Sequence, residues 1–151
     1  METGPRVIDN IVGAISRAVI ADVSSSPVDE IVNAVLANLP LKDDTDEYDT
    51  IFKLFTTLLT AQHPSYPKCL PKIVDCAAHF YSDFSTDKVS PRVSIGNFLY
   101  LLTKYLQVKT GALVSSLLKQ TAGSFGGEMQ SLISSLPPEQ GQKLMTVMSL
   151  N

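Results

Sequence analysis

The chain has 151 residues, 44% of them hydrophobic and 18% charged, with a net charge of −3. That length and apolar content suit one folded domain with a real core and exclude an intrinsically disordered chain. The acidic balance argues against a nucleic-acid binder, which needs a basic stripe to displace counterions, and it is compatible with basic protein partners.

Two cysteines, Cys69 and Cys76, define no disulfide framework, so a reducing compartment is the default. The opening stretch METGPRVIDNIVGAIS places Asp9 and Asn10 where a signal peptide needs an unbroken apolar run. No run approaches the ~18 apolar residues of a membrane span. The expectation is a soluble, intracellular protein without membrane insertion.

Nearly every segment has helical period. Val7, Ile8, Ile11, Val12, Ile15 and Val19 share one broad face of a first helix. Val28, Ile31, Val32, Val35, Leu36 and Leu39 mark a second, with Ser26 as its N-cap, Pro27 at its first position, and Asp29 and Glu30 in its first turn. Tyr48, Ile51, Phe52, Phe55, Leu58 and Leu59 mark a third, and Leu70, Ile73, Val74, Ala77, Phe80 and Tyr81 a fourth. A fifth follows Ser90–Pro91 and carries Val93, Phe98, Leu99, Leu102, Tyr105 and Leu106. Weaker patterns run through 113–118, 129–136 and 139–150. No hairpin dipeptide separates alternating runs, so the fold class is all-α.

The first, third and fifth helices open near Arg6, Asp46 and Ser90, with one helix between each pair. A helix pair recurring every ~40–47 residues is the period of HEAT and armadillo solenoids. The predicted architecture is a HEAT-repeat α-solenoid, a right-handed superhelix of antiparallel helix pairs. It spans residues 1–151 as a single segment, with pairs at 6–40 and 46–84, a third irregular unit at 90–136, and a terminal helix at 138–150.

Particular stretches go further. VIDNIVGAISRAV, NAVLANLPLKDDTDEYDTIFKLFTTLL, LPKIVDCAAHF and SSLPPEQGQKLMTVMSLN, taken as an ordered set, resemble the late, C-terminal HEAT repeats of the importin beta (karyopherin beta) superfamily. The stretch 108–124, VKTGALVSSLLKQTAGS, departs from that pattern; it has helix-forming character and reads as an inserted helix or as a sequence variant that disturbs the last repeat. The resemblance implies a nuclear import receptor that shuttles between cytoplasm and nucleus and binds basic cargo such as histones and ribosomal proteins. It implies no cofactor and no catalysis. It also implies that nucleoporins and the GTPase Ran are engaged only through the full-length receptor, of which this chain reads as a C-terminal fragment. A first helix without an upstream neighbour would expose part of Val7, Ile11, Ile15 and Val19 and favour self-association. Two other readings stay open: a HEAT scaffold outside transport and an all-α enzyme fragment.

Candidate site residues follow from both lines of reasoning. Asp43, Asp44, Asp46, Glu47 and Asp49 crowd the linker before the third helix. One reading is helix-end chemistry, with Asp44 as cap, Glu47 as its capping-box partner, and further acids favouring the helix dipole. The other, drawn from the resemblance, is an acidic surface for basic cargo, and the two are compatible. The resemblance also implies an inter-repeat structural role for Asp9, Asn10 and Arg17, and allows the same for Asp49 and Lys53. Cys69, Cys76, His79 and Asp83 fall on one helical face, but a row about 21 Å long cannot close around one zinc. His63, before Pro64, reads as a helix-end residue. Met129, Leu132, Ile133, Leu136, Leu144, Met145 and Met148 read as the solenoid's end cap, or as a Met-rich groove for a partner helix. No nucleophile–base set, carboxylate pair or phosphate loop is visible, so no catalytic or metal site is expected.

Overall fold

The computed structural model describes residues 4–24, 27–83 and 96–149, with the backbone alone described at 83 and 96–103. Among these residues every regular element is helical: α1 (Pro5–Ala21), α2 (Val28–Ala37), α3 (Tyr48–Thr60), α4 (Leu70–Asp83), α5 (Gly96–Ser134) and α6 (Pro138–Ser149). Short 3-10 turns at Thr45–Glu47 and Pro67–Cys69 lead into α3 and α4. The expected N-cap Ser26, the Ser90–Pro91 start and Val93 lie outside the described residues, as do the side chains of Phe98, Leu99 and Leu102.

The helices stack in two rows. In the first, α1 packs on α3 and α3 on α5; behind it α2 backs α1, and α4 packs on α3, α5 and α6. This arrangement of packed helix pairs is that of a HEAT-like solenoid segment. The third helix is central, and Tyr48, Ile51, Phe52, Leu54, Phe55 and Leu58 are all buried. Around it Tyr48, Phe52 and Phe80 form an aromatic cluster with ring centroids 6.0–6.4 Å apart. At roughly 1.5–3 kcal/mol per buried apolar side chain, this shared face is what holds the pairs in register.

The C-terminal third differs from the separate weak helices read from the sequence. One long helix runs through 108–124, and Gly111 and Gly123 do not end it. A glycine costs a helix about 1 kcal/mol relative to alanine. Burial of Val114, Leu117 and Leu118 against the core more than offsets that. The helix instead kinks at Phe125 (φ −132°, ψ 35°), where the ring lies 5.9 Å from that of Tyr66. A buried hydrogen bond between the Tyr66 hydroxyl and Thr121 Oγ1 pins the turn before the kink. In α1 the outer residues Val7 and Ile11 are half exposed, Ile15 is partly buried and Val19 is fully buried.

Candidate functional site: the acidic linker

The linker from Leu39 to Glu47 is organised by α1. Asp9, Gly13 and Arg17 are spaced four residues apart, so they form one stripe along α1. Asp9 is 1% exposed, and its Oδ2 accepts the backbone N–H groups of Lys42, Asp43 and Asp44 at 3.0, 2.7 and 2.9 Å. Three successive amides converging on one oxygen form an anion-binding nest, here filled by the chain's own carboxylate.

One turn further along α1, Gly13 is the seat of Glu47. A Cβ at Gly13 would stand 2.2 Å from Glu47 Oε2, so only glycine leaves room for the carboxylate there. From the next turn Arg17 Nη1 donates to both Glu47 oxygens, at 3.1 and 2.8 Å, and to Thr50 Oγ1 at 3.2 Å. Asn10 faces solvent.

The expected capping box is not formed. Asp44 stands at the N-cap of the 3-10 turn but makes no side-chain cap hydrogen bond, and Glu47 is turned to Arg17. Asp9 already takes the Asp44 N–H that Glu47 would accept in the box, and the Glu47 N–H donates to Asp44 O at 3.2 Å rather than to the Asp44 side chain.

The five acids therefore separate into two groups. Asp44 pairs with Arg6 at 3.8 Å, Glu47 with Arg17, and Asp49 with Lys53, while Thr110 Oγ1 of α5 donates to Asp49 Oδ1 at 3.3 Å. Asp43 and Asp46 point into solvent. The basic partners Arg6 and Arg17 lie about thirty or more positions upstream, out of reach of any local reading of the linker.

A second polar cluster ties the first turn of α2 to the connection between α3 and α4. Ser65 Oγ and Lys68 Nζ both donate to Asp29 Oδ1, and these two bonds, with Ser65 the larger contributor, hold the Asp29 carboxyl below the usual carboxylate range. His63 Nδ1 accepts the Ser65 N–H at 3.1 Å, which fixes the ring as the Nε2–H tautomer when neutral. The chain leaves α3 by a Schellman turn in which the Gln62 N–H donates to Leu59 O and the His63 N–H to Leu58 O. Gln62 occupies the left-handed region (φ 50°), where such turns usually place glycine.

Cys69 and Cys76 are buried free thiols, both pushed up by desolvation, Cys69 to about 12. Cys69 Sγ donates to Ser65 O at 3.3 Å, and His79 Nδ1 bonds Asp75 O in its own helix. Among the described residues no group of three or more His, Cys, Asp and Glu side chains could hold a metal ion. Among the same residues no helix is long and apolar enough to cross a membrane.

No family model matches the chain. Importin-4 of Homo sapiens is 29% identical over 150 residues, and importin-4 of Mus musculus 30% over 149, each covering 99% of this chain. A probable importin subunit beta-4 of Schizosaccharomyces pombe is 30% identical over 67 residues, 44% of the chain. The chain spans 12% of the length of the two mammalian relatives and 6% of the yeast one. Two rows of stacked helix pairs and this shared sequence, running along nearly the whole of the chain in the mammalian proteins, make it a member of the importin beta family.

Proposed function

We propose that this chain is a C-terminal HEAT-repeat segment of a nuclear import receptor that holds basic protein cargo, of the histone or ribosomal-protein kind. The observation that carries the reading is the alignment with importin-4 over 99% of the chain. The mechanism is binding without catalysis, in a receptor that shuttles between cytoplasm and nucleus and meets Ran and nucleoporins through its other repeats. Within the acidic linker, cargo contacts run through Asp43 and Asp46, since Asp44, Glu47 and Asp49 already have basic partners. Two exposed carboxylates on a loop held by Asp9 offer a lysine- or arginine-rich segment long-range attraction that salt screens.

The internal pairing of three of the five acids favours a second reading, a HEAT scaffold whose partner is not transport cargo. Fluorescence anisotropy of a labelled Lys/Arg-rich peptide separates the two. The import reading expects salt-sensitive binding that the double variant D43N/D46N weakens. Binding that is absent, or unchanged in the variant, removes the linker from the cargo surface and favours the scaffold.

A further inference from the structure

The two most exposed large apolar side chains of the described residues, Val108 and Tyr105, lie on α5. Tyr105 is 66% exposed, Leu106 49% and Val108 72%. At about 100° per residue, Tyr105, Val108 and Ala112 fall within an arc of about 60°, opposite the buried Thr110, Val114 and Leu117. Lys104 and Lys109 border this stripe on its two sides. From Gly96 to Gly127 the helix carries Lys104, Lys109 and Lys119 and no Asp or Glu, in a chain that is acidic as a whole.

We propose that this face of α5 docks an acidic amphipathic helix of a partner protein. Alanine at 112 and serine at 116 continue the stripe with small side chains, which lets a second helix axis approach along α5. Lysines flanking an apolar seam select a helix whose own seam is flanked by carboxylates, as flanking charges do in paired helices. A second copy of this chain does not fit through its exposed apolar edge on α1, Val7 and Ile11, which has no exposed carboxylate on its own helix to meet the lysines: Asp9, the one acid of α1, is buried against the linker amides. An anionic bilayer calls for a broader apolar face than this one: Tyr105, Val108 and Ala112 cover an arc of about 60°, the width of a helix–helix seam.

The test is anisotropy of a fluorescein-labelled helical peptide of about five turns, with leucines in its seam and glutamates beside them, titrated with the whole chain. The expected result is saturable binding that Y105S/V108S weakens about tenfold or more. The charge reversal K109E is expected to weaken it too, and to strengthen binding of the same peptide carrying lysines for glutamates. All three positions are solvent-exposed, and circular dichroism melts confirm that the variants stay folded. Absence of saturation at millimolar peptide, or affinity indifferent to these substitutions, overturns the proposal. So does association with vesicles of phosphatidylcholine and phosphatidylserine, or self-association in sedimentation equilibrium, if either is abolished by Y105S/V108S.

Discussion

Replacing Asp9 by alanine removes a single carboxylate from α1 and leaves three linker amides without their acceptor. A hydrogen bond to a charged group is worth about 1.5–3 kcal/mol, so three taken separately would exceed 4 kcal/mol. They share one oxygen, however, and Lys42 and Asp43 are exposed, so water recovers part of the loss. The expected cost of D9A is about 3–5 kcal/mol, a large share of the 5–15 kcal/mol that stabilises a typical domain. With a urea m-value of roughly 2 kcal/mol/M, the unfolding midpoint followed by circular dichroism should fall by about 1.5–2.5 M. D9N, which keeps one acceptor oxygen and loses the charge, should fall between wild type and D9A. D43N should stay within about 0.5 kcal/mol of wild type, because the backbone of Asp43, not its carboxylate, makes the contact. A D9A protein within 1 kcal/mol of wild type would refute the view that the nest holds the linker.

Three further outcomes are expected. G13A should displace the Glu47 carboxylate from Arg17 and cost stability, yet in an E47A background it should stabilise by about 1 kcal/mol through helix propensity. A double-mutant cycle that closes within about 0.3 kcal/mol would show the two residues to be independent. Q62G should raise stability by about 0.5–1 kcal/mol in denaturant titrations, since a non-glycine residue there bears the cost of a left-handed backbone, whereas Q62V should lower it. Burial pushes the Cys69 thiol and the Tyr66 and Tyr81 phenols up to about 12. Raised values in the folded state mean that the unfolded chain loses these protons first. Their stabilising contribution is therefore complete below about pH 9 and declines as pH rises through about 12. Thermal melts should fall steadily over that window, and a melting temperature flat to pH 12 would contradict the burial.

Helix period alone located α1 to α4, because each carries a stripe of large apolar side chains and four of them bury it against α3 or its neighbours. Over α5 the same signal finds the helix only in pieces, through Leu106 and again at 113–118 and 129–136. Its glycines look like breaks, and its continuity depends on what Val114, Leu117 and Leu118 meet across the core. At the linker, the surplus of acids over what a helix end needs is legible in the sequence. What answers those acids was not legible, since Arg6 and Arg17 reach them across the packed α1–α3 contact. The one local clue was the four-residue spacing of Asp9, Gly13 and Arg17: a carboxylate, a gap and a cation on consecutive turns of α1.

The nest at Asp9 has a consequence for how this surface can change over time. The linker's shape is set by backbone amides and by a side chain on another element, so it does not depend on which residues occupy positions 43 and 46. Substitution at either position can reverse the local charge without loosening the packing of α1 on α3. The region thus separates two kinds of inheritance: a scaffold that tolerates little at positions 9, 13 and 17, and a display surface whose electrical character is free to drift, to be tuned, or to be rewritten by design.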